Sequence, residues 1–151
     1  MVRAAVLTIL TVFVVAGLLG FFGVSSSTVS AGDEDGLRAE LTYPQRARGG
    51  LAVPFELRIH RPGGFDEPIA VTTNTDYLAA FDENGASPDP ASSTTDGETT
   101  TWEYDPPEGE TLTVWLDNRV EPAAQWRRRG TTVVSTGDEQ VTPRYTTWIL
   151  P

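Results

Sequence analysis

Between Leu51 and His60 the chain reads LAVPFELRIH. Every second residue is apolar: Leu51, Val53, Phe55, Leu57 and Ile59 alternate with Ala52, Pro54, Glu56, Arg58 and His60. A period of two puts the apolar set on one face of a strand and the rest in water. The same period recurs at Leu37–Tyr43, Thr100–Tyr104 and Leu112–Asp117, with Trp102 and Tyr104 as core aromatics. Shorter β-rich runs fall at Ile69–Thr73, Thr131–Ser135 and Val141–Leu150, the last two joined by a hairpin-like turn, TGDEQ, at Thr136–Gln140. Pro54, on the outward set, marks an edge or a bulge. Tyr77–Phe81, YLAAF, reads equally as a strand or a helical turn. Between the runs stand Arg48-Gly49-Gly50, Pro62-Gly63-Gly64, Glu83-Asn84-Gly85, Asp96-Gly97 and Pro106-Pro107-Glu108-Gly109, all turn chemistry. Glu83–Thr99 is predicted as one long mobile loop. No helical stripe in this part lasts three turns. Seven or eight short strands in residues 37–151 predict an all-β fold, an antiparallel immunoglobulin-like β-sandwich.

The front of the chain is different. Ala4–Val24 runs 21 residues without a charge, behind Arg3. A spanning helix needs about 20 apolar residues, and a signal-peptide core is shorter, about 7–15. Length favours an uncleaved transmembrane anchor; Val29-Ser30-Ala31 carries the small residues that a signal peptidase accepts. The organisation expected is an anchor or signal at 1–24, a linker at 25–36 in which a strand could start near Thr28, and the β domain at 37–151. With Arg3 inside, this predicts a single-pass protein of the cell membrane with an extracytoplasmic C-terminal domain. There is no cysteine, so the core alone must hold an exported domain.

The formal net charge is −10, and all 11 basic residues are arginine. An acidic balance excludes nucleic acid as the partner, since that needs a basic footprint. It also opposes flat adhesion of the whole domain to an anionic membrane.

Several stretches carry a resemblance: Tyr43-Pro44, Arg46-Ala47, Gly50-Leu51, Arg61-Pro62-Gly63-Gly64-Phe65-Asp66, Phe81-Asp82-Glu83-Asn84-Gly85, Trp102-Glu103-Tyr104-Asp105-Pro106-Pro107, Thr111-Leu112-Thr113-Val114 and Thr147-Trp148-Ile149. Across nearly all of the exported part the chain resembles a group of uncharacterised, single-pass membrane-anchored β-domain proteins of high-GC actinobacteria. The resemblance implies one transmembrane helix, one exported β domain and a multi-span membrane protein as partner. It brings no catalytic residue.

Catalysis would have to use the single histidine, His60, on the polar side of its strand, and no G-x-S-x-G nucleophile signal accompanies it. Zinc or copper would want cysteines or several histidines. Calcium could draw oxygens from Asp66-Glu67 and Asp82–Gly85 if those loops met, although the EF-hand spacing is not matched. No metal or cofactor is assigned. Trp115 alternates against Leu112, Val114 and Leu116, so it faces outward beside Thr113 and Asp117, where an indole could stack on a sugar ring.

Gln125–Gly130, QWRRRG, sets three arginines behind a tryptophan in an acidic chain. Counting Tyr77–Phe81 as a strand, six strands precede it, which returns this loop and the Arg61–Glu67 loop to the membrane-proximal end; if Tyr77–Phe81 is not a strand, the QWRRRG loop moves to the far end and a soluble or cell-wall partner is favoured. Phe65, Trp126, Arg127, Arg128 and Arg129 would then face lipid headgroups or an integral membrane protein. The other reading is a solvated turn whose arginines pair with nearby acids. The function expected is a non-catalytic, membrane-tethered interaction or accessory domain contacting a membrane protein or envelope component. The alternative is a polysaccharide-binding module using Trp115 and Asp117, with or without calcium.

Overall fold

The computed structural model of the chain describes residues 2–18, 20 and 23–150. It opens with helix α1 (Val2–Leu18), 17 residues long. At ~1.5 Å per residue this is about 25 Å, short of the ~30 Å hydrocarbon core of a bilayer. Among the described residues no helix is long and apolar enough to cross a membrane. The expected transmembrane anchor, and the single-pass cell-membrane location built on it, are therefore not supported. The uncharged run outlasts the helix because glycines punctuate it. Gly20 sits at φ 73, its N–H donates to the Gly17 carbonyl at 3.0 Å, and the Gly23 N–H donates to the Gly20 carbonyl at 2.9 Å. Turns of this kind end helices. Leu19, Phe21 and Phe22 of the predicted anchor lie outside the described residues.

Ser25–Gly32, expected inside a linker, is strand β1, paired antiparallel with β2 (Arg38–Arg48). The strands that follow are β3 (Ala52–Val53), β4 (Glu56–His60) and β5 (Ile69–Asn74). A single helical turn, α2 (Thr75–Leu78), then leads into β6 (Phe81–Ser87) and β7 (Ser92–Thr95). The chain ends with β8 (Thr99–Tyr104), β9 (Thr111–Val120), β10 (Trp126–Thr136), β11 (Glu139–Val141) and β12 (Arg144–Leu150). YLAAF is thus a helical turn running into a strand, and the predicted Glu83–Thr99 loop contains two strands.

The twelve strands form one curled sheet with main order β3-β9-β4-β2-β12-β10-β5-β8-β7. The fold class expected was a simple antiparallel immunoglobulin-like sandwich of seven or eight strands; the sheet is mixed. The parallel ladder joins β2 to β12, with Trp148 aligned to Arg46 and Ile149 to Ala47. Its cause lies in β2. Residues Arg38–Thr42 pair with β4, and Tyr43 and Pro44 follow, both buried. Pro44 has no N–H for a ladder, so the strand is released from one neighbour and taken up by another. Its carbonyl accepts from the Thr147 hydroxyl of β12 at 2.6 Å. Pro54, also without an N–H, separates β3 from β4 without a change of partner. The pairing with β9 lapses there, yet Val53–Asn118 and Glu56–Trp115 keep one register.

The inward alternation supplies one core, including Leu41, Leu57, Ile59, Ile69, Trp102, Tyr104, Val114 and Ile149. Beneath β12 that core becomes an aromatic and hydroxyl net. The rings of Tyr77 and Tyr145 meet edge-on at 4.9 Å, and Tyr43 lies 5.0 Å from Tyr145. The Tyr77 hydroxyl bonds Thr147 at 2.9 Å; the Tyr145 hydroxyl bonds Thr132, which bonds Thr73. The hydroxyls of Tyr77, Thr147, Tyr145, Thr132 and Thr73 are all partnered, and leaving one of them unpartnered would cost about 1–3 kcal/mol. Burial raises the Tyr77 and Tyr145 phenols well above their ordinary range, so both stay neutral donors. The net fixes β12 against β2, β5 and β10, and so fixes what those strands show to solvent.

Candidate binding surface

Gln125–Gly130 is neither a loop nor a turn. Trp126–Gly130 is the first part of β10, laddered to β12: Arg127 aligns with Trp148, Arg128 with Thr147, Arg129 with Thr146 and Gly130 with Tyr145. Side chains of aligned residues share a face. Gly130 and Tyr145 face inward, and the Tyr145 ring lies so close over Gly130 that a Cβ there would meet it. Arg127 and Arg129 therefore face outward with Trp148 and Thr146.

Across the parallel ladder Trp148 is aligned with Arg46. An outward row thus crosses three strands in the order Arg127, Trp148, Arg46. The Arg127 guanidinium carbon lies 5.9 Å from the centroid of the Trp148 ring, a cation–π contact worth about 0.5–1 kcal/mol at an exposed site. Trp148 is 48% exposed. The Arg46 Nε donates to the Ser25 hydroxyl at 3.2 Å. On the Arg46 side, a depression of about 550 Å³ is lined by Gln45, Arg46, Arg144, Thr146 and Trp148, with Tyr43 and Tyr145.

Charge is concentrated here. Arg46, Arg48, Arg127, Arg128, Arg129 and Arg144, six of the 11 arginines, lie in residues 43–48, 126–131 and 144–150 of these three strands, and those stretches hold no acid. Ion pairs hold Arg38 to Glu34 and Glu40, Arg58 to Glu56 and Arg61 to Glu139. Arg127, Arg129 and Arg144 have no ion pair among the described residues. Arg128 points toward the inner side, and its Nε is buried without a hydrogen-bond partner. Trp126, at the head of the strand, is 72% exposed and holds φ 70, a left-handed backbone that a bulky residue rarely adopts.

The other predicted site residues lie apart. Phe65 is only 8% exposed and belongs to the core. Its loop is fastened at the far end of β10, where the Thr136 hydroxyl donates to the Glu67 carbonyl at 3.3 Å. Phe65 and Trp126 thus belong to opposite ends of that strand. Trp115 is 50% exposed, as the alternation predicts, but it is aligned with Glu56 of β4 and Ser87 of β6. Asp117 shares that face, so the indole stands in an acidic neighbourhood and well away from β10 and β12. The acids raised for calcium do not converge: among the described residues no three Asp, Glu or His side chains gather where they could hold a metal ion. Asp82–Gly85 lies within β6, laddered to β9 with a bulge between Glu83 and Gly85. His60 Nδ1 bonds the Thr111 hydroxyl at 3.0 Å on the outer face of the sheet.

Gln45, Arg46, Arg144, Thr146 and Trp148 are the residues that sequence reasoning missed. One signal was available. In Arg144–Leu150, Tyr145, Thr147 and Ile149 alternate with Arg144, Thr146 and Trp148, which already sets Trp148 opposite the core. That Arg46 stands beside it depends on a parallel pairing of strands about a hundred residues apart, which no local pattern encodes.

No protein-family model matches the chain, and no curated protein matches it. Function is therefore read from the surface itself.

Proposed function

We propose that the chain is a non-catalytic binding domain that docks an acidic partner on the outward face of β10, β12 and β2. The observation that carries this is the row Arg127, Trp148, Arg46: one exposed indole between two guanidiniums, in a protein of net charge −10.

The bulk charge repels an acidic partner, so range decides which effect wins. At about 0.15 M salt the Debye length is ~8 Å. Acids on other faces are screened beyond that distance, while arginines in direct contact are not. Each exposed pair contributes about 0.2–1 kcal/mol. Three would strengthen binding by roughly 0.6–3 kcal/mol, which is too little alone and leaves a role for the indole.

The test is retention of the full chain on immobilised carboxylate polymers, polyglutamate and polygalacturonate, at about 0.15 M salt. The native chain is expected to be held by at least one of them, and the triple variant Arg46→Ser, Arg127→Ser, Arg144→Ser to pass through. A native chain that elutes unretained from both would remove the proposal.

A further inference from the structure

We infer that the ligand of the β2–β12 depression is a carboxylated glycan, a chain of uronic-acid units; this rests on the binding reading above. The depression of about 550 Å³ is in the size range of small-ligand sites, about 300–1,000 Å³. Its walls offer three kinds of group together. Arg46 and Arg144 supply guanidiniums for carboxylates, and their forked donors suit that anion. Gln45 and Thr146 supply neutral donors and acceptors of the kind that pair with hydroxyls. Trp148 supplies a flat apolar wall, with Arg127 over its ring. A pyranose ring bearing a carboxylate answers all three: its apolar C–H face lies on the indole, its carboxylate on a guanidinium, its hydroxyls on Gln45 and Thr146.

An acidic polypeptide answers fewer of them. Its carboxylates sit on flexible stems that any exposed arginine can meet, and they need neither a planar wall nor an amide beside it. The row itself also fits a polymer. Neighbouring strands are about 4.8 Å apart, so a chain crossing β10, β12 and β2 meets guanidinium, indole and guanidinium in turn. A polymer that repeats a carboxylate and an apolar ring face matches that alternation.

The structure thereby moves the sugar platform from Trp115 to Trp148. Both indoles are about half exposed, but Trp115 has Glu56 and Asp117 near it, whose charge would repel a uronate.

The experiment titrates the full chain with oligogalacturonate, with oligoglutamate of equal charge and with a neutral gluco-oligosaccharide of equal length, following tryptophan fluorescence and heat. Oligogalacturonate is expected to bind at least tenfold tighter than either of the others. Trp148→Ala and Arg144→Ser should each abolish that preference, and Trp115→Ala should leave it intact. Arg144 is exposed, so its variant tests the site even if the tryptophan variant folds poorly. Equal or tighter binding of oligoglutamate overturns the glycan and leaves an acidic polypeptide on the same surface. Binding of the neutral sugar alone overturns the carboxylate requirement. Binding of none of them overturns both this inference and the reading beneath it.

Discussion

Two regions of this protein combine arginine with an aromatic ring, and they do opposite things. At one end of the curled sheet, Arg61 donates to the Glu139 carboxylate at 2.8 Å and to the Gly64 carbonyl at 2.8 Å. Glu139 also accepts the Leu37 N–H at 2.9 Å, and Phe65 is sealed inside the loop this lock holds. On the face of β10, β12 and β2, Arg127 lies over Trp148 with no acid in residues 43–48, 126–131 or 144–150, and both remain open to solvent. The difference comes from the neighbours. Where an acid lies within reach, arginine fastens the loop that carries its aromatic; where none does, the pair stays outside and is free to meet something else.

The sharpest way to break this comparison is to truncate both aromatics. Phe65→Ala should lower stability by about 3–5 kcal/mol, because a buried ring leaves a cavity. Carboxylate-polymer binding of the folded fraction should not change. Trp148→Ala should cost less than about 1 kcal/mol of stability and remove most of the binding. Denaturant melts and retention assays on the two variants check this. A Phe65 variant that stays stable but no longer binds would reverse the assignment.

Gly130→Ala comes next in size. It tests whether the face depends on the net beneath it. The added methyl meets the Tyr145 ring, and overpacking of this kind costs about 1–3 kcal/mol. Because Tyr145 is also tied to Thr132, relief requires β12 to shift, so polymer binding should weaken although no exposed residue has changed. A destabilised variant with native binding would show that the face tolerates movement of its support.

Smaller still is the effect of acid on the lock. The Arg61 hydrogen bond, with the Leu37 N–H, holds the Glu139 carboxyl below its ordinary pKa of 4.5. As pH falls through that value the unfolded chain takes up the proton first. The contribution of Glu139 is therefore complete above it and is lost as pH drops through the lowered folded value. Melting temperatures between about pH 6 and about pH 3 should fall more for the native chain than for Glu139→Gln, which has already lost this charge. Equal falls in both would mean that the lock contributes nothing beyond its neighbours.

How legible this was from sequence differs between the two regions for a physical reason. Alternation is local, so the core faces of β4, β8 and β9 could be read, and with them the outward Trp115 and the buried Trp102 and Tyr104. Pairing is not local. Nothing near Arg46 says that Trp148 will lie beside it, because the parallel ladder follows from β2 changing partners at Pro44. The three arginines of QWRRRG were visible, but strand counting set them in a loop. Gly130 is there because the Tyr145 ring needs its space, a requirement set by a strand not yet formed at that point of the chain. The 21-residue uncharged run likewise measured composition, whereas the 17-residue helix gives way to glycine turns within that run.

The smallest effect concerns Trp126, and it asks where the binding face ends. Its φ of 70 is the one left-handed backbone among the described non-glycine residues. Holding a bulky residue there costs about 1–3 kcal/mol, and here the strain is spent on an indole that is 72% exposed. A residue kept only for stability would not be strained and solvated at once. Trp126→Gly relieves the backbone, since glycine takes positive φ without a steric penalty, so stability should hold or rise by about 1 kcal/mol. Trp126→Ala removes the same ring but keeps the strain, and should be the less stable of the two. If the indole contributes at the rim of the face, both variants should bind oligogalacturonate more weakly by roughly two- to fivefold, a rim-sized effect. Comparing the pair separates ring from backbone: weakened binding in both assigns the loss to the indole, and weakened binding in one alone assigns it to the strand's shape. Unchanged binding in both would end the face at Trp148 and leave the row Arg127, Trp148, Arg46 as its whole aromatic content.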